Sequence, residues 1–198
     1  YNKCSKLYDF CRTVDNIADQ EASLDYKKKE LIKFRTNFEN KDFKNEVIKN
    51  MWELIDEFNI SQKIVADLFD GVESDIRKEV KIKNEKELFI YSYRVAGTVG
   101  LMMAKIFNIK KKESLQRAMY LGIAMQLTNI ARDVLEDAEM GRRYLPESWV
   151  GDLQPSRIVA LAKTPLANEA VAVGTAVEKL LNLADDYYKS GMEGFPYL

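Results

Sequence analysis

The sequence contains no histidine, and this absence excludes several kinds of catalytic site at once. Without an imidazole ring the chain cannot build a Ser-His-Asp triad, use histidine as a general acid or base, or bind a metal ion through histidine. Any catalysis must therefore use carboxylates, tyrosine, lysine, arginine or a metal ion held by oxygen atoms.

Cysteine, net charge and long apolar segments are scarce as well. Cys4 and Cys11 are the two cysteines, and on one helix they would lie two turns, roughly 10 Å, apart, too far for a disulfide. We expect both to be reduced core residues of a cytoplasmic protein. The net charge of −1 gives no electrostatic reason to expect nucleic-acid binding. The most apolar stretch, Val95 to Phe107, is interrupted by Lys105 and falls short of the ~18–20 residues that span a membrane.

Apolar residues recur at helical spacing along almost the whole chain, and we find no strand pattern. The length of 198 residues and the 46% hydrophobic content predict one all-α domain over residues 1–198. We expect Ser23 and Ser61 to cap helices, and Gly141 to end one. Because the chain starts at Tyr1 without methionine, we expect a segment cut at both ends. The predicted helices cover residues 1–20, 24–40, 43–58, 62–78, 86–107, 113–139, 156–162 and 166–190.

A ladder of polar oxygens runs through the stretch from Gln126 to Pro146, QLTNIARDVLEDAEMGRRYLP. Asn129, Asp133 and Asp137 recur every fourth residue, so on a helix they share one face, with Gln126 a turn earlier. Buried charge is costly unless it is paired or bound to metal. Carboxylate and amide oxygens suit Mg²⁺, which usually shares its coordination with substrate phosphates. The stretch therefore predicts a magnesium-bridged phosphate or diphosphate site.

A second acidic pair lies near the start of the chain. Asp15 and Asp19 are four residues apart, and Arg12 and Tyr8 fall on the same helical face. Helical bundles build metal sites from side chains on facing helices, so the two ladders are expected to face each other across a cavity. Arginine is well shaped for phosphate oxygens, which makes the loop from Arg142 to Pro146 a candidate for closing over an anion.

Four stretches, in this order along the chain, resemble the motifs of squalene and phytoene synthases, which condense two prenyl diphosphates head to head. They are YDFCRTVDNIAD at 8–19, LFDG at 68–71 with Asp75 following, YSYRVAGTVG at 91–100, and the stretch at 126–146. The sequence looks most like bacterial phytoene synthases, with the related squalene enzymes of the hopanoid pathway next. The resemblance implies the isoprenoid synthase fold, a single helical domain around a deep apolar cavity.

The resemblance also implies roles for individual side chains. The ligands for Mg²⁺, with Mn²⁺ as an alternative, would be Asp15, Asp19, Asn129, Asp133 and Asp137. The catalytic residues would be the four aspartates of that set and Tyr91, whose hydroxyl would reach diphosphate or stabilise a cationic carbon. The substrate-binding residues would be Tyr8, Arg12, Val95, Gly100, Gln126, Asn129, Arg132, Arg142 and Tyr144, with Arg143 a weaker candidate.

The implied reaction is the Mg²⁺-dependent joining of two geranylgeranyl diphosphates to phytoene through a cyclopropylcarbinyl diphosphate. The alternatives are squalene or dehydrosqualene formation from farnesyl diphosphate, with NADPH required only for squalene, a terpenoid cyclase that uses one substrate, and a non-catalytic assembly factor. No G-x-G-x-x-G motif follows a strand, so a Rossmann module is not expected. Peripheral membrane association would help release an apolar product.

The sequence leaves two interpretations open for each of two features. Gly97 and Gly100 interrupt the central predicted helix, either for tight helix packing or for space and a kink beside an isoprenoid tail. Asp70 is either ordinary surface charge or, by the resemblance, a residue near the cavity, with Gly71 allowing close helix packing.

Overall fold

Over its described part, the chain folds into eleven helices, a short π-helical segment and two strands of two residues each. The structure is a computed structural model that describes residues 3–163 and 167–194. Both ends of the chain, where we expect cuts, and the predicted start of the last helix at residue 166 lie outside the described residues. The prediction of an all-α fold is confirmed, and the two strands are a small correction to it.

The first four helices build an aromatic core. They are α1 (Lys3–Asp19), α2 (Leu24–Glu39), α3 (Glu46–Phe58) and α4 (Gln62–Asp75). Phe10 packs against Phe34, Phe38 and Phe69, with ring centroids 5.4–6.0 Å apart. Cys11 is buried in this core, Cys4 packs against it, and no disulfide joins them.

Helix caps explain where these helices begin. The Ser23 hydroxyl accepts a hydrogen bond from the Tyr26 amide, and that of Ser61 accepts one from Lys63, as predicted. Asn45 caps α3, so this helix begins at Glu46 rather than at residue 43.

The second half of the chain surrounds one long helix. The elements are β1 (Val80–Lys81), α5 (Glu85–Ser92), the π segment (Tyr93–Gly97), α6 (Thr98–Ile106), α7 (Lys112–Arg132), α8 (Val134–Glu139), β2 (Arg142–Arg143), α9 (Glu147–Val150), α10 (Pro155–Leu161) and α11 (Asn168–Met192). α7 packs against α11 on one side and α6 on the other. β1 and β2 pair in parallel, Val80 beside Arg142. In the described residues, no helix is both long and apolar enough to cross a membrane.

Glycines let the helices around the site approach closely. A Cβ added at Gly122 would lie 2.3 Å from the Ala96 carbonyl oxygen, and one at Gly100 would lie 2.3 Å from that of Ala118. One at Gly71 would lie 2.8 Å from the Arg94 Cβ, so α4 packs tightly on the π segment. The packing interpretation of these glycines is therefore confirmed. The π segment also interrupts the central helix, ending at Gly97.

We expect Gly122→Ala to lower the free energy of unfolding by about 1–3 kcal/mol, because the new methyl group overpacks rigid backbone. Gly174→Ala is the matched control on α11, where a Cβ meets nothing within 4 Å. Alanine favours a helix there, so stability should rise by up to about 1 kcal/mol. Urea denaturation followed by circular dichroism measures both, and equal effects would show that the close approach at Gly122 does not matter.

Candidate active site

Both acidic ladders line a single polar cleft of about 340 Å³. α1 contributes Asp15 and Asp19, and the junction of α7 and α8 contributes Asp133 and Asp137. Eight of the other predicted site residues also line this cleft: Arg12, Tyr91, Val95, Gln126, Asn129, Arg132, Arg142 and Tyr144. The structure therefore brings the two ladders together around one cavity, as predicted.

The second ladder does not lie on one unbroken helix, which corrects the prediction of a helix over residues 113–139. α7 ends at Arg132, and Asp133 adopts φ −103° and ψ 17° before α8 begins. The chain stays nearly helical, since the Asp133 amide donates to the Asn129 carbonyl at 2.9 Å and the Asp137 amide to the Asp133 carbonyl at 2.8 Å. The bend therefore leaves all three predicted ligands facing the cleft.

The segment after α8 is buried, so it is not a solvated loop. The strand pairing of β1 with β2 holds it against the rest of the molecule. Arg142 reaches into the cleft and donates to Asp19 Oδ1 at 3.1 Å and to the Ala18 carbonyl at 3.4 Å. Arg143 is 1% exposed and donates to the Gly151 carbonyl at 2.6 Å, outside the cleft. Arg142 is therefore placed to meet an anion, and Arg143 supports the local fold.

Arg132 pairs with its neighbour in the sequence. Its Nε and Nη2 donate to Asp133 Oδ1 and Oδ2, each at 2.6 Å. These hydrogen bonds lower the pKa of the Asp133 carboxyl from its usual value. Most of the Arg132 side chain is exposed, so the pair is held weakly and can open to let Asp133 and Arg132 bind other partners.

The crowded carboxylates of the cleft resist ionisation. Burial, and then the charge of Asp19, raise the pKa of Asp15 to about 6. Burial is also the main cause that raises the pKa of Asp137 to about 7, and Asp133 adds to it while Arg142 opposes it. A bound cation would relieve this repulsion, because it favours the charged form of each carboxylate.

The donor atoms of the cleft fit Mg²⁺, which prefers carboxylate and amide oxygens. Within residues 3–163 and 167–194, however, no three acidic or cysteine side chains are already gathered into a metal site. Asp15, Asp19, Asn129, Asp133 and Asp137 would therefore share the ion with oxygens from water or a phosphate, as is usual for Mg²⁺.

An apolar groove of about 430 Å³ adjoins the polar cleft. Val95, Gln126 and Asn129 line both cavities and form their junction. Gly100 lines the groove, so it has a packing contact with Ala118 and also borders this apolar space. The arrangement can hold a molecule with an anionic head and an apolar tail.

Tyr8 and Asp70 lie elsewhere. Tyr8 is 65% exposed and is not among the residues that line the cleft. Asp70 accepts a hydrogen bond from Arg35 Nη1 at 2.8 Å and does not line the cleft either, which favours the interpretation of Asp70 as surface charge. The substrate-binding role of Tyr8 stays a prediction, for which the described geometry gives no contact.

Asp75, which the sequence analysis named only as following the LFDG stretch and gave no role, also lines the cleft. It accepts hydrogen bonds from the hydroxyls of Tyr91 and Tyr144. A signal was present, because Leu68, Val72 and Asp75 are spaced as one helical face, and the first two are fully apolar. A carboxylate that continues a buried apolar face requires partners or a function.

We expect Asp137→Asn to stabilise the protein at pH 8 in the presence of EDTA. The pKa of Asp137 is raised from 3.8 to about 7 in the folded state, so its contribution to stability is present below pH 3.8 and is lost as the pH rises to about 7. A three-unit shift corresponds to ~4 kcal/mol, and solvent screening of this partly exposed group reduces the expected gain to about 1–2 kcal/mol.

Denaturant unfolding at pH 8 and at pH 4 measures this difference, which should nearly vanish at pH 4. Asp56→Asn is the control, because Asp56 is exposed on α3 and does not line the cleft. A loss of stability in Asp137→Asn at pH 8 would contradict the argument from repulsion.

Comparison with known proteins agrees with this geometry. The chain is 32% identical, over 95% of its length, to "Phytoene synthase" of Pseudescherichia vulneris, of which it covers 63%. It is 30% identical, over 89% of its length, to "Presqualene diphosphate synthase" of Rhodopseudomonas palustris, of which it covers 68%. The chain thus spans less than two thirds of the first of these relatives.

A solved structure has a fold similar to that of this chain. The crystal structure of a dehydrosqualene synthase in complex with ligand superposes with a TM-score of 0.72 at 29% identity, covering 98% of this chain and 67% of that one. The sequence model of the family described as "Squalene/phytoene synthase" matches residues 2–198. On these grounds, together with the paired acidic ladders, the chain belongs to the squalene/phytoene synthase family, whose members are prenyltransferases.

Proposed function

We propose that this chain forms the catalytic part of an enzyme that condenses two allylic prenyl diphosphates head to head. The observation that carries the proposal is that the two cavities adjoin. A cleft lined by carboxylates and arginines shares Val95, Gln126 and Asn129 with an apolar groove. A prenyl diphosphate has the matching pattern, an anionic head and a long apolar tail.

The arginines of the cleft would bind and orient the diphosphate. Arg12, Arg132 and Arg142 all line the cleft, and Arg142 is held in place by Asp19. Mg²⁺, when bound by Asp15, Asp19, Asn129, Asp133 and Asp137, supplies charge stabilisation for the departing diphosphate. The groove excludes water from the apolar tail, which protects a cationic carbon from hydrolysis.

In the proposed reaction, the C–O bond of one substrate breaks and leaves an allylic cation and diphosphate. The double bond of the second substrate attacks this cation, and loss of a proton closes a cyclopropylcarbinyl diphosphate. A second ionisation and rearrangement, ending in loss of a proton, gives the 1-1′ linked hydrocarbon. Because the chain has no histidine, released diphosphate is the proposed base.

We propose geranylgeranyl diphosphate as the substrate and phytoene as the product. Support comes from relatives named phytoene synthase, among them one from Enterobacter agglomerans that is 40% identical over 61% of this chain and matched over 39% of its own length. The second candidate is farnesyl diphosphate, giving squalene or dehydrosqualene. It is favoured by the similarity to a presqualene diphosphate synthase and to a dehydrosqualene synthase.

The test is a product assay on the full-length protein that carries this chain, with Mg²⁺. Each diphosphate is supplied separately, with and without NADPH, and the apolar extract is analysed by mass spectrometry. We expect a C40 hydrocarbon from the C20 substrate without NADPH. Asp133→Ala should reduce the formation of this hydrocarbon by at least about 100-fold, because the magnesium ion that would stabilise the departing diphosphate loses one of its ligands. Asp56→Ala, a change at an exposed residue, should not reduce it.

A C30 product would move the assignment to farnesyl diphosphate, with NADPH dependence separating squalene from dehydrosqualene. Absence of any product from either substrate, with diphosphate binding intact, would refute the condensation and favour the non-catalytic alternative.

A further inference from the structure

The half-buried carboxylate of Asp75 accepts hydrogen bonds from both tyrosine hydroxyls of the cleft. Tyr91 donates to Asp75 Oδ2 at 2.9 Å, and Tyr144 donates to Asp75 Oδ1 at 2.8 Å. The two rings stack with centroids 4.6 Å apart and an interplanar angle of 18°. The three side chains come from the end of α4, from α5 and from the segment after β2, so they form a tertiary cluster, here called the Asp75 clamp.

The clamp decides what the two hydroxyls can offer a ligand. A phenol has one proton to donate, and in both tyrosines that proton is directed to Asp75. Burial raises the pKa of Tyr91 and of Tyr144 well above the usual range, so each keeps its proton at neutral pH. Each oxygen therefore presents only lone pairs to any further partner. Of the two roles expected for the Tyr91 hydroxyl, this favours stabilisation of a cationic carbon over contact with diphosphate.

The position of the clamp matches this chemistry. Tyr91 and Tyr144 line the polar cleft, and Tyr91 precedes by four residues Val95, which lines both the cleft and the apolar groove. A prenyl diphosphate whose head lies in the cleft and whose tail lies in the groove has its first allylic carbons at this junction. Lone pairs and π-faces of stacked phenols attract positive charge there.

We propose that Asp75 is a positioning residue that fixes Tyr91 and Tyr144 as hydrogen-bond acceptors, so that the pair stabilises allylic cations and leaves diphosphate binding to the arginines. This inference rests on the function proposed above. In this arrangement the diphosphate leaving group is bound by Arg12, Arg132 and Arg142. The tyrosines of the Asp75 clamp stabilise the cationic carbon from which the diphosphate departs. Asp75 itself acts through the tyrosines and needs no contact with substrate.

Asp75→Asn tests the clamp with little change of shape. The amide can accept through one oxygen only, so one phenol loses its acceptor and faces an N–H donor instead. We expect kcat to fall about 10–100-fold with KM changed less than about threefold, as for loss of an outer partner that orients a reacting group. Asp70→Asn is the matched control on the same helix, because Asp70 pairs with Arg35 outside the cleft.

A double-mutant cycle separates positioning from general damage to the fold. In the Tyr91→Phe/Tyr144→Phe background there is no hydroxyl left to orient, so adding Asp75→Asn should lower kcat by less than about twofold. If Asp75→Asn costs the same factor in both backgrounds, Asp75 does not act through the tyrosines and the inference is overturned.

A second readout does not depend on turnover. In protein labelled with ¹³Cζ-tyrosine, Asp75→Asn should shift two tyrosine resonances, those lost in Tyr91→Phe and Tyr144→Phe, and Asp70→Asn should leave both in place. Unshifted resonances would overturn the clamp whatever the activity. If the resonances shift but the parent protein makes no product, the proposed function has failed, and with it the catalytic purpose of Asp75, although the hydrogen bonds are real.

Discussion

The burial of several carboxylates in one cleft is the constraint on which the site depends. Asp15, Asp75 and Asp137 each have a pKa raised by burial to between about 6 and about 7. Arg142 reaches into their midst from the segment after β2 and pairs with Asp19. The backbone of Arg142 is in turn fixed by its pairing with β1, so two strands of two residues each position a central cation of the cleft.

Burying these charges costs folding free energy, and a bound cation would offset that cost because it favours the charged form of each carboxylate. Asp137 faces Arg142 yet keeps a raised pKa, because burial outweighs the attraction. Binding free energy and folding free energy are therefore linked in this cleft, because Asp15 and Asp137, two of the residues that would hold magnesium, carry charges that destabilise the fold. Such a trade-off between stability and activity is common where a site gathers like charges.

Close backbone packing lets the polar and apolar parts of the site share a wall. Gly122 on α7 sits against Ala96, and Gly100 on α6 sits against Ala118. Because these helices approach so closely, Val95 on the π segment and Asn129 on α7 can border both the cleft and the groove. The small residues thus serve packing first, and the shape of the cavity follows from that packing.

The sequence alone determined the helices, their caps and the two acidic ladders, because these depend on local spacing and on hydrogen bonds between near neighbours. Ser23 and Ser61 cap the helices that follow them, and Asp15, Asp19, Asn129, Asp133 and Asp137 line one cleft. Tertiary structure decided the partners of these groups. That Asp75 would accept hydrogen bonds from both phenols, and that Arg142 would face the cleft and pair with Asp19, depends on contacts between different elements of the chain. Spacing along one helix carries no information about such contacts.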